Sequence, residues 1–132
     1  MKKYLIIPVL IGLSFGALSE TVNEQILQKS MKPWQPLSIS ENQKIITVTL
    51  NEQRVTDQIY STIVKNAICT PLWLEENKKY LKGTKEINVL NQYNKQGYIL
   101  ESPKHACDEI GKSNNDDAAI RLMGATRGWM NS

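Results

Sequence analysis

The chain has 132 residues, of which 16 are basic, 13 acidic, two cysteine and one histidine, and 41% of its side chains are apolar. One modest domain with a small core is what this length supports. The near balance of charge argues against nucleic acid as a partner, because phosphate recognition rests on clustered Lys and Arg and on the counterions they displace.

Met1-Lys2-Lys3 precedes an apolar run from Tyr4 to Phe15 and then the small-residue stretch Gly16-Ala17-Leu18-Ser19. The run is about a dozen residues, short of the roughly 20 that a spanning helix needs, and Ala17-x-Ser19 fits the rule for cleavage before Glu20. Residues 1–19 are therefore predicted to be a signal peptide, with no cysteine nearby for a lipid anchor. Cleavage leaves 113 of the 132 residues, a net charge near +1 and no stable membrane span. A periplasmic or secreted location follows.

From Glu20 to Gln43 the composition is polar and punctuated. Val22, Ile26 and Leu27 allow one or two turns of helix, but Pro33 and Pro36 forbid its continuation, and Trp34 between them suits an extended strap or a docking segment. Residues 20–43 are read as an extended N-terminal arm. The run from Lys44 to Leu50 is the clearest strand: β-branched residues dominate it and Ile46, Val48 and Leu50 share one face at period two. Asn51 and Glu52 then offer an N-cap and a first-turn carboxylate. Val55, Ile59, Ile63 and Ala67 recur at every fourth place, which predicts a helix from Glu52 to Ile68, stopped by Thr70-Pro71.

Leu72, Trp73 and Leu74 form a short apolar patch. Lys78, Lys79, Lys82 and Lys85 follow, flanked by Glu75, Glu76 and Glu86, and read as a solvated connector. Ile87, Val89 and Leu90 begin a hairpin that turns over Asn91 to Gly97 and returns through Tyr98, Ile99 and Leu100. Ser102-Pro103 announces a helix, with serine as N-cap, Ala106, Cys107 and Ile110 on the inner face and Gly111 at its end. Residues 118–123 suit either a short strand or a helix started by Asp116 or Asp117, and residues 125–132 read as a C-terminal tail.

These elements predict an α+β domain over residues 44–124: a three- or four-stranded antiparallel or mixed sheet with two helices packed on one face. A strand at 118–123 would give the split βαβ order of ferredoxin-like domains; without it three strands remain. In an oxidising compartment Cys69 and Cys107 are expected to form one disulfide. Closing a loop of this length contributes about 4 kcal/mol in the chain-entropy model.

Chemistry has few footholds in this composition. His105 stands near Cys107 and Asp108, the pattern of a thiol-dependent enzyme, but a disulfide would consume the nucleophile, and positions 105 and 107 diverge by about 200° on a helix. Two cysteines and one histidine without C-x-x-C or H-x-x-x-H spacing give no metal site, and no phosphate-binding or nucleotide motif calls for a cofactor. Three tryptophans are a heavy load for a chain with one phenylalanine. Trp73 is expected to pack under the connector, whereas Trp34, Trp129 and Met130, placed in the arm and the tail, are the candidate partner-binding residues. The expectation is an exported, non-enzymatic protein of a bacterial envelope that binds another protein, as an accessory factor of a pilus, secretion or conjugation system. A periplasmic immunity protein or inhibitor, and a thiol enzyme using His105 and Cys107, are the alternatives. The oligomeric state is left open.

Overall fold

The computed structural model describes residues 19–131. The leader predicted for residues 1–19 lies outside them, apart from Ser19. No helix among the described residues is long and apolar enough to cross a membrane.

Helix α1 spans Val22–Ser30. Its first turn is closed by a capping box: the Thr21 hydroxyl accepts from the Glu24 N–H, and the Glu24 carboxylate accepts from the Thr21 N–H. A 3-10 turn at Lys32–Trp34 follows, and then strand β1 at Ser38–Asn42. The region read as an extended arm thus holds a helix, a 3-10 turn and a strand. β1 runs antiparallel to β2, Ile45–Thr49, with Asn42 opposite Ile45. The two residues between them, Gln43 and Lys44, both have positive φ, at 52° and 68°. A two-residue turn of this type favours Asn-Gly, so Gln-Lys gave no hairpin signal.

β2 leads into one long helical segment whose winding changes twice. Helix α2 covers Asp57–Ile63, a π-helical stretch Val64–Cys69, and a short helix α3 Thr70–Trp73. The predicted cap at Asn51 is replaced by Thr56, whose hydroxyl accepts from the Ile59 N–H. Residues 51–55 are not helical because the hairpin's side chains claim their backbone. Asn91 donates to the Gln53 carbonyl, and the Gln96 amide both donates to the Val55 carbonyl and accepts from its N–H. In the π stretch two carbonyls find side-chain donors, Thr70 Oγ1 to Lys65 and Tyr80 OH to Ile68. Pro71 does not end the helix; it sits where the winding has just changed from π to α, in the first turn of α3.

β3, Glu86–Leu90, and β4, Gln96–Glu101, form the expected hairpin, drawn tight by Asn91, whose side-chain oxygen accepts from the N–H groups of Lys95 and Gln96. Helix α4 spans Pro103–Gly111, as predicted from Ser102-Pro103, but Ser102 adopts a left-handed conformation (φ 46°) and makes no side-chain cap. The ambiguous segment 118–123 is helical: α5 runs Asn115–Gly124, capped by Asn114, not by Asp116 or Asp117. The residues read as a tail supply the last strand, β5, Thr126–Met130.

The sheet is five-stranded in the order β1-β2-β3-β4-β5, with β2 and β3 parallel and every other pair antiparallel. It is therefore α+β with one disulfide, but the sheet is larger than the three or four strands expected and it carries more than two helices. The ferredoxin-like layout does not hold either. That layout separates the two strands joined by its first crossover, whereas β2 and β3 are direct neighbours and β5 pairs with β4.

Helices cover one face. Ile46 and Val48, Ile87 and Val89, and Leu100 alternate into a core that includes Leu27, Tyr60, Ile63, Val64, Ile68 and Cys107. Burying each large side chain contributes about 1.5–3 kcal/mol. Tyr60 on α2 stacks on Tyr98 of β4 at 4.8 Å between ring centroids, and its hydroxyl lies 2.7 Å from Thr126 Oγ1 on β5. The opposite face carries Thr47, Asn88, Ile99 and Arg127 across neighbouring strands and no helix among the described residues.

Candidate functional site

Cys69, at the end of the π stretch, and Cys107, in α4, form the expected disulfide with their Cα atoms 5.2 Å apart. Both are fully buried. Trp73 lies beside the staple and donates from Nε1 to the Cys107 carbonyl at 2.8 Å. Its position depends on Gly111, where a Cβ would come within 2.6 Å of that same nitrogen. Trp73 thus covers the end of α4 and is not packed under the charged connector. It remains 39% exposed. Beside it lies a groove of about 740 Å³ bordered by Lys65, Asp108, Lys112 and Ala118.

His105 is exposed on α4 and faces a smaller groove of about 350 Å³ shared with Glu101, Glu109 and Arg121. Arg121 of α5 pairs with Glu109 of α4 at 2.7 Å, which fixes how the two helices sit together. The Cys107 sulfur is bonded to Cys69, so the His105–Cys107 pairing has no thiol to activate. Among the described residues no three His, Cys, Asp or Glu side chains converge as a metal site would require. The buried phenols belong to the frame: burial raises the Tyr60 hydroxyl to about 12, against a lowering by its hydrogen bond with Thr126, and burial raises that of Tyr80 further.

The three candidate partner-binding residues divide between opposite borders of the sheet. Trp34 closes the 3-10 turn before β1 and packs against the core, partly covered. Trp129 and Met130 lie on β5, four strands away, Trp129 half-buried and Met130 70% exposed. They cannot form one site with Trp34.

The β5 border has further features that sequence reading missed. Glu101 N–H bonds to the Ala125 carbonyl and Asn131 N–H to that of Lys95, so residues 125, 127, 129 and 131 direct their backbone groups at β4. Thr126, Gly128 and Met130 direct theirs outward, where no strand pairs with them among the described residues. A Cβ on Gly128 would meet nothing within 4 Å. Arg127 stands on the uncovered face of this strand, held by Glu101 at 2.9 Å and Glu86 at 2.6 Å, and these bonds raise its pKa so that it stays cationic. Above the strand, α5 turns Ala118 and Leu122 into the core and leaves Ile120 (69%) and Met123 (49%) exposed. Their spacing of three residues is the signal that could have found them, once 118–123 is known to be helical. A shallow groove of about 270 Å³ opens at the rim among Arg54, Tyr98, Trp129 and Met130.

Comparison of the chain with models of protein families, with curated proteins and with solved structures finds no match, so the functional reading rests on these residues alone.

Proposed function

We propose that this chain is a non-enzymatic protein-binding module of the exported class, an accessory factor of a bacterial envelope assembly, and that it docks through the β5 border of its sheet. The observation that carries the reading is a coincidence in space. An unpaired strand edge with outward N–H and C=O groups lies next to Met123 and Met130, two of the seven large apolar side chains exposed among the described residues. Open strand edges recruit another strand through main-chain hydrogen bonds, and exposed apolar groups beside them add the area that desolvation rewards. The disulfide and the absence of a spanning helix among the described residues are consistent with work outside the cytoplasm.

The test is site-specific photo-crosslinking in the producing cell. A photoreactive phenylalanine analogue at Met130 is expected to capture a protein, and the same analogue at Leu37, also exposed, before β1, is expected to capture none. Capture at Leu37 with none at Met130 would overturn the assignment of the border.

A further inference from the structure

We infer that the occupant of the β5 border is a second copy of this chain, paired antiparallel to the first about a two-fold axis through Gly128; the inference rests on the docking reading above. A two-fold interface must be self-complementary, since the same patch serves both partners. β5 meets that condition in one register. With Gly128 opposite Gly128, all five residues of Thr126–Met130 are paired, and the outward groups meet as hydrogen-bonded pairs, 128 with 128 and 126 with 130 of the other copy.

The side chains agree with this register. On the uncovered face Arg127 falls opposite Trp129 of the second copy, twice by symmetry, in the non-hydrogen-bonded pairs where side chains come closest. Glu86 and Glu101 draw the guanidinium inward over β4 and β3, so the tryptophan ring meets the aliphatic stem of an arginine already held in place. Shifting the axis by one residue toward the N-terminus would set Arg127 against Arg127, a like-charge opposition. On the helix-covered face Thr126 falls opposite Met130 of the second copy, and glycine at the centre leaves the space between the two helix layers free.

The helix layer supplies the second contact. Arg121 marks the flank of α5 that faces α4, and Ala118 and Leu122 mark the side turned to the core. At about 100° per residue, Ala119 and Met123 cover the remaining flank, on the side where the sheet ends, while Ile120 points away from the core. Thr126 is tied to the end of α5 by its hydroxyl, which donates to the Leu122 carbonyl at 2.6 Å. Met130 of the second copy, placed beside Thr126, therefore lies next to Met123. Met123 and Met130 each gain a neighbour from the same short stretch of the other molecule, and two five-stranded sheets become one of ten.

Sedimentation equilibrium of the purified chain over a range of concentration tests the inference. A reversible dimer is expected at micromolar concentration. Gly128→Pro removes an outward N–H that bonds to nothing in β4, so it is expected to keep the circular dichroism and melting temperature while weakening dimerisation by about 100-fold. Met123→Glu, a change at an exposed helical position, is expected to act in the same direction and serves if the proline variant does not fold. A wild-type chain that stays monomeric at every concentration, or a folded Gly128→Pro or Met123→Glu dimer as tight as wild type, overturns the second copy. Failure of the docking reading looks different. Crosslinking of a different protein at Met130, with a monomeric purified chain, removes only the second copy; no product at Met130 removes both.

Discussion

The two borders of the sheet are built to opposite ends. At β1 the edge is occupied: the outward N–H of Glu41 is taken at 2.8 Å by the Glu24 carboxylate of α1, while Glu41 itself accepts from Thr21 Oγ1 and Asn23 Nδ2. Asn23, almost fully buried, also accepts from the Leu81 N–H and donates to Thr84. Acidic groups and a helix lie across that border, which is how sheets suppress unwanted strand addition. At β5 the corresponding groups are bare and the neighbouring side chains are apolar. The same five strands thus carry one border closed by polar bonds and one left available, and the contrast separates residues that hold the molecule together from residues that stand ready for a partner.

The contrast can be broken most severely at the staple joining its two halves, since Cys107 anchors α4, and α5 and β5 follow it in the chain. Replacing both cysteines by serine is expected to lower stability by about 4 kcal/mol, read as the difference in unfolding midpoint in urea against the intact disulfide. Loss of protection from hydrogen exchange should be greater at β5 than at β1, where the Asn23 bonds persist.

Asn23→Ala comes next in size. It strips three partners at once, two of them buried, and leaves the Leu81 N–H unsatisfied, for an expected loss of about 2–3 kcal/mol by chemical denaturation. An effect below about 0.5 kcal/mol would show that α1 is not what closes the β1 border.

Alkali should sharpen the contrast from the other side, because Tyr60 ties α2 to β5. Its hydroxyl is raised from 10.0 to about 12 in the folded chain, chiefly by burial, so the folded state keeps a proton that the unfolded state gives up. The stability this proton represents is whole below pH 10 and is lost as pH rises to 12, on the order of 2–3 kcal/mol. Tyr80 shifts in the same direction. Tyr60→Phe is expected to flatten the slope of stability against pH between 10 and 12, measured by thermal melts. The smallest effect belongs to the open border itself: Met130→Ala and Met123→Ala should alter the melting free energy by no more than about 0.5 kcal/mol, although they are the residues placed for binding.

What was legible in the chain follows the strength of local physics. Ile46 and Val48 announced their strand by period and branching, Ser102-Pro103 announced α4, and two cysteines in one chain announced their bond. Other features depended on distant partners. β1 escaped notice because Ser38-Ile39-Ser40-Glu41-Asn42 shows one apolar residue at its centre and its turn lacks the usual Asn-Gly, so the pairing with β2 and α1 is what makes it a strand. The start of α2 moved from Asn51 to Thr56 because Asn91 and Gln96, some 40 positions away, hold the intervening backbone. β5 was read as a tail for the same reason: Thr126-Arg127-Gly128-Trp129-Met130 alternates poorly, and only β4 beside it gives it form. The candidate site suffered most. Trp129 and Met130 were noticed, but the edge they belong to, and Met123 and Arg127 around it, exist only once the last helix and strand are in place.

The wide winding at Val64–Cys69 bears on how this chain tolerates change in length. A π stretch is an α-helix accommodating a surplus residue, and here Lys65 and Asn66 bulge toward water while Ala67, Ile68 and Cys69 stay inside. Deleting Asn66 would let the winding tighten to ordinary α-helix and return the flanking turns to phase. A deletion within β2 would instead throw Ile46 or Val48 onto the wrong side of the sheet. Beside the covalent bridge, the molecule holds a slack link.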